Sequence, residues 1–255
     1  GGFVKAKIFS IALVLILLVA ALIQIGGIVH DRQHYRELTV QGVAQSLAGS
    51  QALLGPLIHV SCTEEWDLTV DKQVNTERRE FRLVAAPSTL AIHGTSELEP
   101  RARGLHATQA FALKTRLTAQ WAELTALKPT RQHTGSRLSC GQPVLMVAVS
   151  DARGIRHAGL QLNGQNFSLK PGTFHSHYPR GVHATMAPIA DWEAPVSADI
   201  QLELVGTGRL SVVPLGGSTE VRLTSNWPHP SFEGRFLPAD REVGPQGFSA
   251  SWRVS

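Results

Sequence analysis

Cysteine, methionine and tyrosine are scarce in this chain of 255 residues, with two of each. Two cysteines allow one internal bridge at most. Charge of one sign is also scarce: charged residues make up 17% and the net charge is +4. The basic residues are dispersed, and clusters such as Arg78-Arg79 and Arg101-Ala102-Arg103 are short. That excludes a nucleic-acid interface, which needs a concentrated basic stripe on a recognisable module. Catalytic signatures are missing as well. There is no G-x-S-x-G elbow and no H-E-x-x-H pair, and Gly206-Thr207-Gly208 lacks the strand-to-helix setting of a phosphate loop. Nothing implies a cofactor.

Long apolar runs are missing everywhere but one place. Ile8–Val29 is interrupted only by Ser10 and Gln24. As a helix rising about 1.5 Å per residue it covers roughly 33 Å, the thickness of a bilayer's hydrocarbon core. A secretory signal would have a shorter apolar core and a small-residue cleavage site directly behind it. This run is followed instead by His30-Asp31-Arg32-Gln33-His34. The reading is an uncleaved transmembrane helix within residues 1–29, embedded in the lipid bilayer. Lys5 and Lys7 precede it, and positive flanks stay cytoplasmic. The N-terminus is therefore expected in the cytoplasm and the body on the exported side.

Helical spacing continues over 30–54, through Leu38, Val40, Val43, Ala44 and Leu47, and predicts a juxtamembrane helix stopped by Gly55-Pro56. Beyond Pro56 the period shifts toward two. Glu80–Val84, Ala110–Thr118, Asp199–Leu204, Arg209–Pro214 and Thr219–Thr224 alternate, with turn signals at Ala86-Pro87-Ser88, Leu162-Asn163-Gly164 and Lys170-Pro171-Gly172. The pattern predicts a mainly β fold over 55–255, an antiparallel sandwich-like domain. Leu204–Val213 reads as a hairpin around Gly206-Thr207-Gly208, and Leu117–Leu127 as the one further helix candidate. Arg116–Trp121 echoes Arg222–Trp227, which raises the alternative of two related β lobes.

Four groups could carry chemistry or contacts. Cys62 and Cys140 are either a disulfide or two buried thiols. A bridge would close a loop of nearly eighty residues, worth about 2–4 kcal/mol in the chain-entropy account. His175, His177 and His183 are the densest imidazoles, but with no acid or thiol beside them they read as exposed loop histidines, not a metal site. Asp151 and Arg153 sit at a strand end and read as a structural ion pair, with Gly154 taking a positive φ. In Trp227-Pro228-His229-Pro230-Ser231-Phe232 two prolines exclude helix and interior strand. The aromatics either fill the core at a corner or form a contact surface for another protein.

Gly55-Pro56-Leu57-Ile58, Asp151–Ile155, Gly206-Thr207-Gly208 with Leu210–Pro214, and above all Leu223–Phe232 followed by Phe236-Leu237-Pro238 and Arg241-Glu242-Val243, resemble the CreD family. The likeness runs in order along nearly the whole chain. It implies an inner-membrane protein with a periplasmic domain, linked to colicin tolerance and the response to β-lactams. It implies no catalytic residues, and no family motif at Cys62, His175 or His177. It also implies further membrane helices beyond Ser255. Phe248 and Trp252 would then lie on the membrane-facing side. The leading reading is a non-enzymatic envelope protein contacting other envelope proteins. The alternative is a membrane-anchored enzyme or small-ligand binder acting on cell-wall or lipid material.

Overall fold

Strands that are apolar on one face must bury that face, and two sheets laid together satisfy each other. The computed structural model describes residues 50–103, 106–228, 230 and 238–255. The membrane helix expected within 1–29 and the juxtamembrane segment up to residue 49 lie outside the described residues. In chain order the strands are β1 (Gln51–Val70), β2 (Gln73–Ala85), β3 (Thr89–Arg103), β4 (His106–Trp121), β5 (Arg137–Cys140), β6 (Val144–Val149), β7 (Ile155–Leu162) and β8 (Gln165–Phe167). They continue with β9 (Lys170–Pro171), β10 (Gly181–Thr185), β11 (Val196–Thr207), β12 (Leu210–Val213), β13 (Ser218–Ser225), β14 (Asp240–Gly244) and β15 (Gly247–Val254). Among the described residues no helix is long and apolar enough to cross a membrane.

The first sheet runs β12-β1-β6-β10-β9, with β2 and β5 also on β1; the second runs β14-β15-β13-β3-β4-β11-β7-β8. Their inner faces share one core. Ile58 and Val60 of β1 and Leu145 and Val147 of β6 pack with Leu117 of β4 and Ile200 and Leu202 of β11. Trp121, almost fully buried, ties the layers by donating its indole N–H to the Ala85 carbonyl at 3.0 Å. Trp252, read as a membrane-interface aromatic, packs against this core opposite Val221.

β1 is the spine. Along one edge it pairs with β12 over Gln51–Leu54 and then with β2 from Ile58 to Val70. Along the other it pairs with β6 over Leu53–His59 and with β5 over Cys62–Glu65. The exchange from β12 to β2 falls at the cis Gly55-Pro56 bond, where the β6 register also shifts. A proline there forfeits no ladder bond, because it stands between two partners.

Several expectations are corrected. Gly55-Pro56 does not stop a helix: Gln51–Leu54 already belong to β1. Their helix propensity yields to burial between β12 and β6. Leu204–Val213 is not a hairpin. β11 belongs to the second sheet and β12 to the first, so Gly206-Thr207-Gly208 carries the chain from one layer to the other. Gly206 is required at that crossing, since a Cβ would lie 2.5 Å from Gln51 Cγ and 2.6 Å from Phe111 Cζ. Leu117–Trp121 lie in β4, and only Thr125–Leu127 form a short 3-10 turn. The sheets are mixed, since β1–β12 and β3–β13 are parallel. The two layers take strands alternately along the chain, so two successive lobes do not describe it.

Leu145 is fully buried. Leu145→Ala should lower unfolding free energy by about 2–5 kcal/mol, measured by denaturant titration, whereas Val74→Ala on an exposed strand should stay within about 0.5 kcal/mol.

Candidate functional site

Two features outside the shared core gather polar side chains. The first is where β1 leaves the sandwich. β5 follows it only to Glu65, so beyond that point β1 and β2 form a two-stranded arm closed by Asp71 and Lys72, both at positive φ. Both positive values suit the mirror-image turn that a two-residue hairpin loop prefers. At the base, Cys62 and Cys140 stand opposite in register and are joined by a disulfide, with Cα atoms 4.1 Å apart.

One step on, Glu64 is fully buried. Its Oε1 accepts hydrogen bonds from the Gln132 N–H (2.9 Å), the His133 N–H (3.0 Å) and the Ser136 hydroxyl (2.7 Å), and Oε2 accepts from Arg79 (2.7 Å). Burial works against its charge, but the bonds from Ser136, His133, Arg79 and Gln132 outweigh that and lower its pKa to about 2. The carboxylate thereby pins the segment leading into β5 onto β1. Trp66 stacks on His133 at 3.8 Å, and Asp67 accepts from Thr76 (2.9 Å) and Arg137 (3.2 Å). Beyond these ties the arm presents Leu68, Val70 and Val74, all exposed.

The second feature is on the outer face of the first sheet. Every residue of β6 is buried, although only Leu145, Val147 and Val149 face the shared core. Val144, Met146 and Ala148 must therefore be covered from outside. The cover is a strap over Gly172–Arg180, between β9 and β10. It crosses β6 to reach β1 and β2: His59 of β1 donates from Nε2 to the Thr173 carbonyl (2.9 Å), and Arg82 of β2 donates to Ser176 Oγ (3.2 Å). His183 of β10 donates from Nδ1 to the Gly172 carbonyl (2.8 Å). His175 lies against His59, His177 and Tyr178, with ring centroids 5.4, 5.7 and 5.1 Å away. His175 and His183 are thus buried, which corrects the reading of them as exposed loop residues; His177 is exposed. The unbroken apolar run of β6 was the available signal, because a strand covered on one face alternates and one covered on both does not. Among the described residues no three His, Cys, Asp or Glu converge on a point that would hold a metal ion.

The other candidates lie elsewhere. Arg153 forks onto Asp151 with Nε–Oδ1 2.9 Å and Nη2–Oδ2 2.7 Å, and Asp151 also accepts the Arg153 backbone N–H. The bonds from Arg153 outweigh burial and lower the Asp151 pKa. Gly154 does not take a positive φ; it is needed because a Cβ would strike the Val205 carbonyl. Gln51, which the sequence pattern does not single out, donates to the carbonyls of Asp151 and Val205 (3.0 Å each) and sews β1 to this corner. Trp227, Pro228 and Pro230 are half-buried, and His229 and Phe232 lie outside the described residues. Just before them, Asn226 accepts the Leu98 N–H at 2.9 Å. An open depression of about 460 Å³ is lined by Ser225 and Glu242–Ser249. It gathers none of Asp151, Arg153 or His183.

The family described as Inner membrane protein CreD matches residues 4–255. This chain belongs to the CreD family. The Inner membrane protein CreD of Escherichia coli (strain K12) is 34% identical over 251 residues, which cover 98% of this chain. The chain spans 55% of the length of that relative. The match extends across both features, so the sandwich, arm and strap all lie within the CreD-matched region.

The Glu64 carboxylate carries a pH prediction. Its pKa lies below the unfolded value of 4.5, so its contribution is complete above about pH 4.5 and is lost as the pH falls through about 2. Glu64→Gln should reduce the denaturant midpoint at neutral pH and flatten its fall between those two values. An unchanged acid slope would contradict the assignment.

Proposed function

We propose that this chain comprises a membrane segment and the exported contact domain of a CreD-type inner-membrane protein. Ile8–Val29 spans the inner membrane with its N-terminus in the cytoplasm, and the β sandwich stands in the periplasm. The domain works by binding other envelope proteins, not by turning over a substrate. The family's link to colicin tolerance and the β-lactam response is carried over on the same footing.

The observation that carries this reading is the β1–β2 arm. An isolated two-stranded ribbon is marginal in water. This one is stiffened by Asp67, Arg137, Thr76 and the Trp66–His133 stack, yet it ends in exposed Leu68, Val70 and Val74. A rigid projection with an apolar end offers contact area without a large ordering cost. Four of the buried polar side chains, in contrast, hold backbone: Glu64 the amides of Gln132 and His133, Gln51 the carbonyls of Asp151 and Val205, and His59 and His183 the strap. The segment Trp227–Phe232 is a second contact candidate, because stiff aromatic stretches bind at low entropic cost.

Photo-crosslinking residues placed at Val74 and Pro228 in intact cells should each capture a discrete envelope protein from the periplasmic side. A folded domain that captures none at either position would refute the contact reading, and capture of cytoplasmic proteins would refute the orientation.

A further inference from the structure

The strap is tied to β1 through His59 and packs His175 against that ring, and neither imidazole has a place for a second ring proton. A carbonyl only accepts, so His59 carries its proton on Nε2 where it meets the Thr173 carbonyl. Its Nδ1 is then a bare lone pair, buried and without a partner in the chain. His175 accepts the His177 N–H on its own Nδ1 (3.3 Å), so that nitrogen too is unprotonated. Adding a proton to His59 Nδ1 creates a buried donor with no acceptor. Adding one to His175 Nδ1 breaks its bond to the strap backbone. Either change also places a cation in a buried site.

The Thr173 carbonyl accepts from His59 Nε2 in either protonation state, but among the described residues no carboxylate acts on either ring. Arg82 of β2, His183 of β10 and His177 of the strap act on these rings, and Tyr178 lies beside His175. Lys170 of β9 stands across the ladder from His183, and β6 presents only Val144, Met146 and Ala148 on this face. Arg82 spans the same ground, with Nη1 on Ser176 and a buried Nε that has no partner. The permanent charge that acts on both rings is Arg82, and it is positive.

We infer that the strap Gly172–Arg180 is an acid-released latch: neutral His59, with the strap's own His175 packed against its ring, holds it against the first sheet, and protonation of the two rings frees it and uncovers the apolar face around Met146. Desolvation, then the backbone bond to Thr173 working the other way, then the charges of Arg82 and His183 leave the His59 pKa lowered. Desolvation first, then Arg82, His59 and His177, lower that of His175 to about 4. The sign follows from linkage. The closed strap binds protons more weakly than the open one, so closure is fully favoured above the free-histidine value of 6.5 and weakens as the pH falls toward about 4. His175 alone changes the open-to-closed ratio on the order of 100-fold over that interval.

The test uses the full chain in membranes, with a nitroxide on Pro179→Cys, an exposed strap position; the native cysteines are paired with each other. The label should be immobilised near neutral pH and gain a mobile component between about pH 6 and about pH 4, while far-UV circular dichroism stays constant. In His59→Gln combined with His175→Phe, the glutamine keeps an N–H for Thr173 and the phenylalanine keeps a ring beside Tyr178. Neither titrates, so mobility should become independent of pH. Three results would overturn the latch: a label immobile throughout in the otherwise native chain, a double variant that titrates like it, or loss of the β signal at the same pH.

Discussion

One strand sets the terms for the rest of this domain. β1 is 20 residues long and serves four other strands, two along each edge. Its inward side chains, Ile58, Val60 and Cys62, fill the shared core before the strand outruns its cover. A strand that leaves a sandwich loses the layer that buried its inner face. Continuing that face with apolar residues would expose them, so the chain places Glu64 there and brings 132–136 over it. The disulfide one step earlier fixes the same segment covalently. The arm beyond is supported from its base.

The mainly β class was legible because β4 and β11 alternate. Val196, Ala198, Ile200, Leu202 and Leu204 all turn inward, at the period the sequence displays. What the sequence concealed was partnership. Gln51–Leu54 fits a helix by propensity and becomes strand only because β12, which lies about 160 residues further on, is available to pair with it in parallel. The Gly206–Gly208 turn looks like a hairpin locally, and only the sheet assignment of β12 reveals a crossing between layers. Local pattern specifies an element, whereas contacts distant in sequence decide its neighbours.

The sites were legible in the same partial way. Asp151 and Arg153 are two residues apart, so their pairing could be read directly. The cysteines could be paired only by knowing that Cys62 and Cys140 face each other in register. His177 is exposed as read, but His175 and His183 were misjudged because 172–181 resembles an exposed loop. It is instead folded against β6, whose six residues are all apolar and all buried. The CreD match covers the motifs around Gly55-Pro56 and Leu223–Phe232; Gly55-Pro56 falls on the bulge of the spine strand and Leu223–Ser225 on the end of β13.

Amide hydrogen exchange on the full chain tests the spine most directly. If β1 organises the domain, the amides of Leu53–Cys62 should be the last to exchange, opening only with global unfolding, while those of residues 66–77 exchange early. Exchange of Leu53–Cys62 ahead of β11 in the second sheet would contradict the account, because the strand that joins four others would then be the first to come loose.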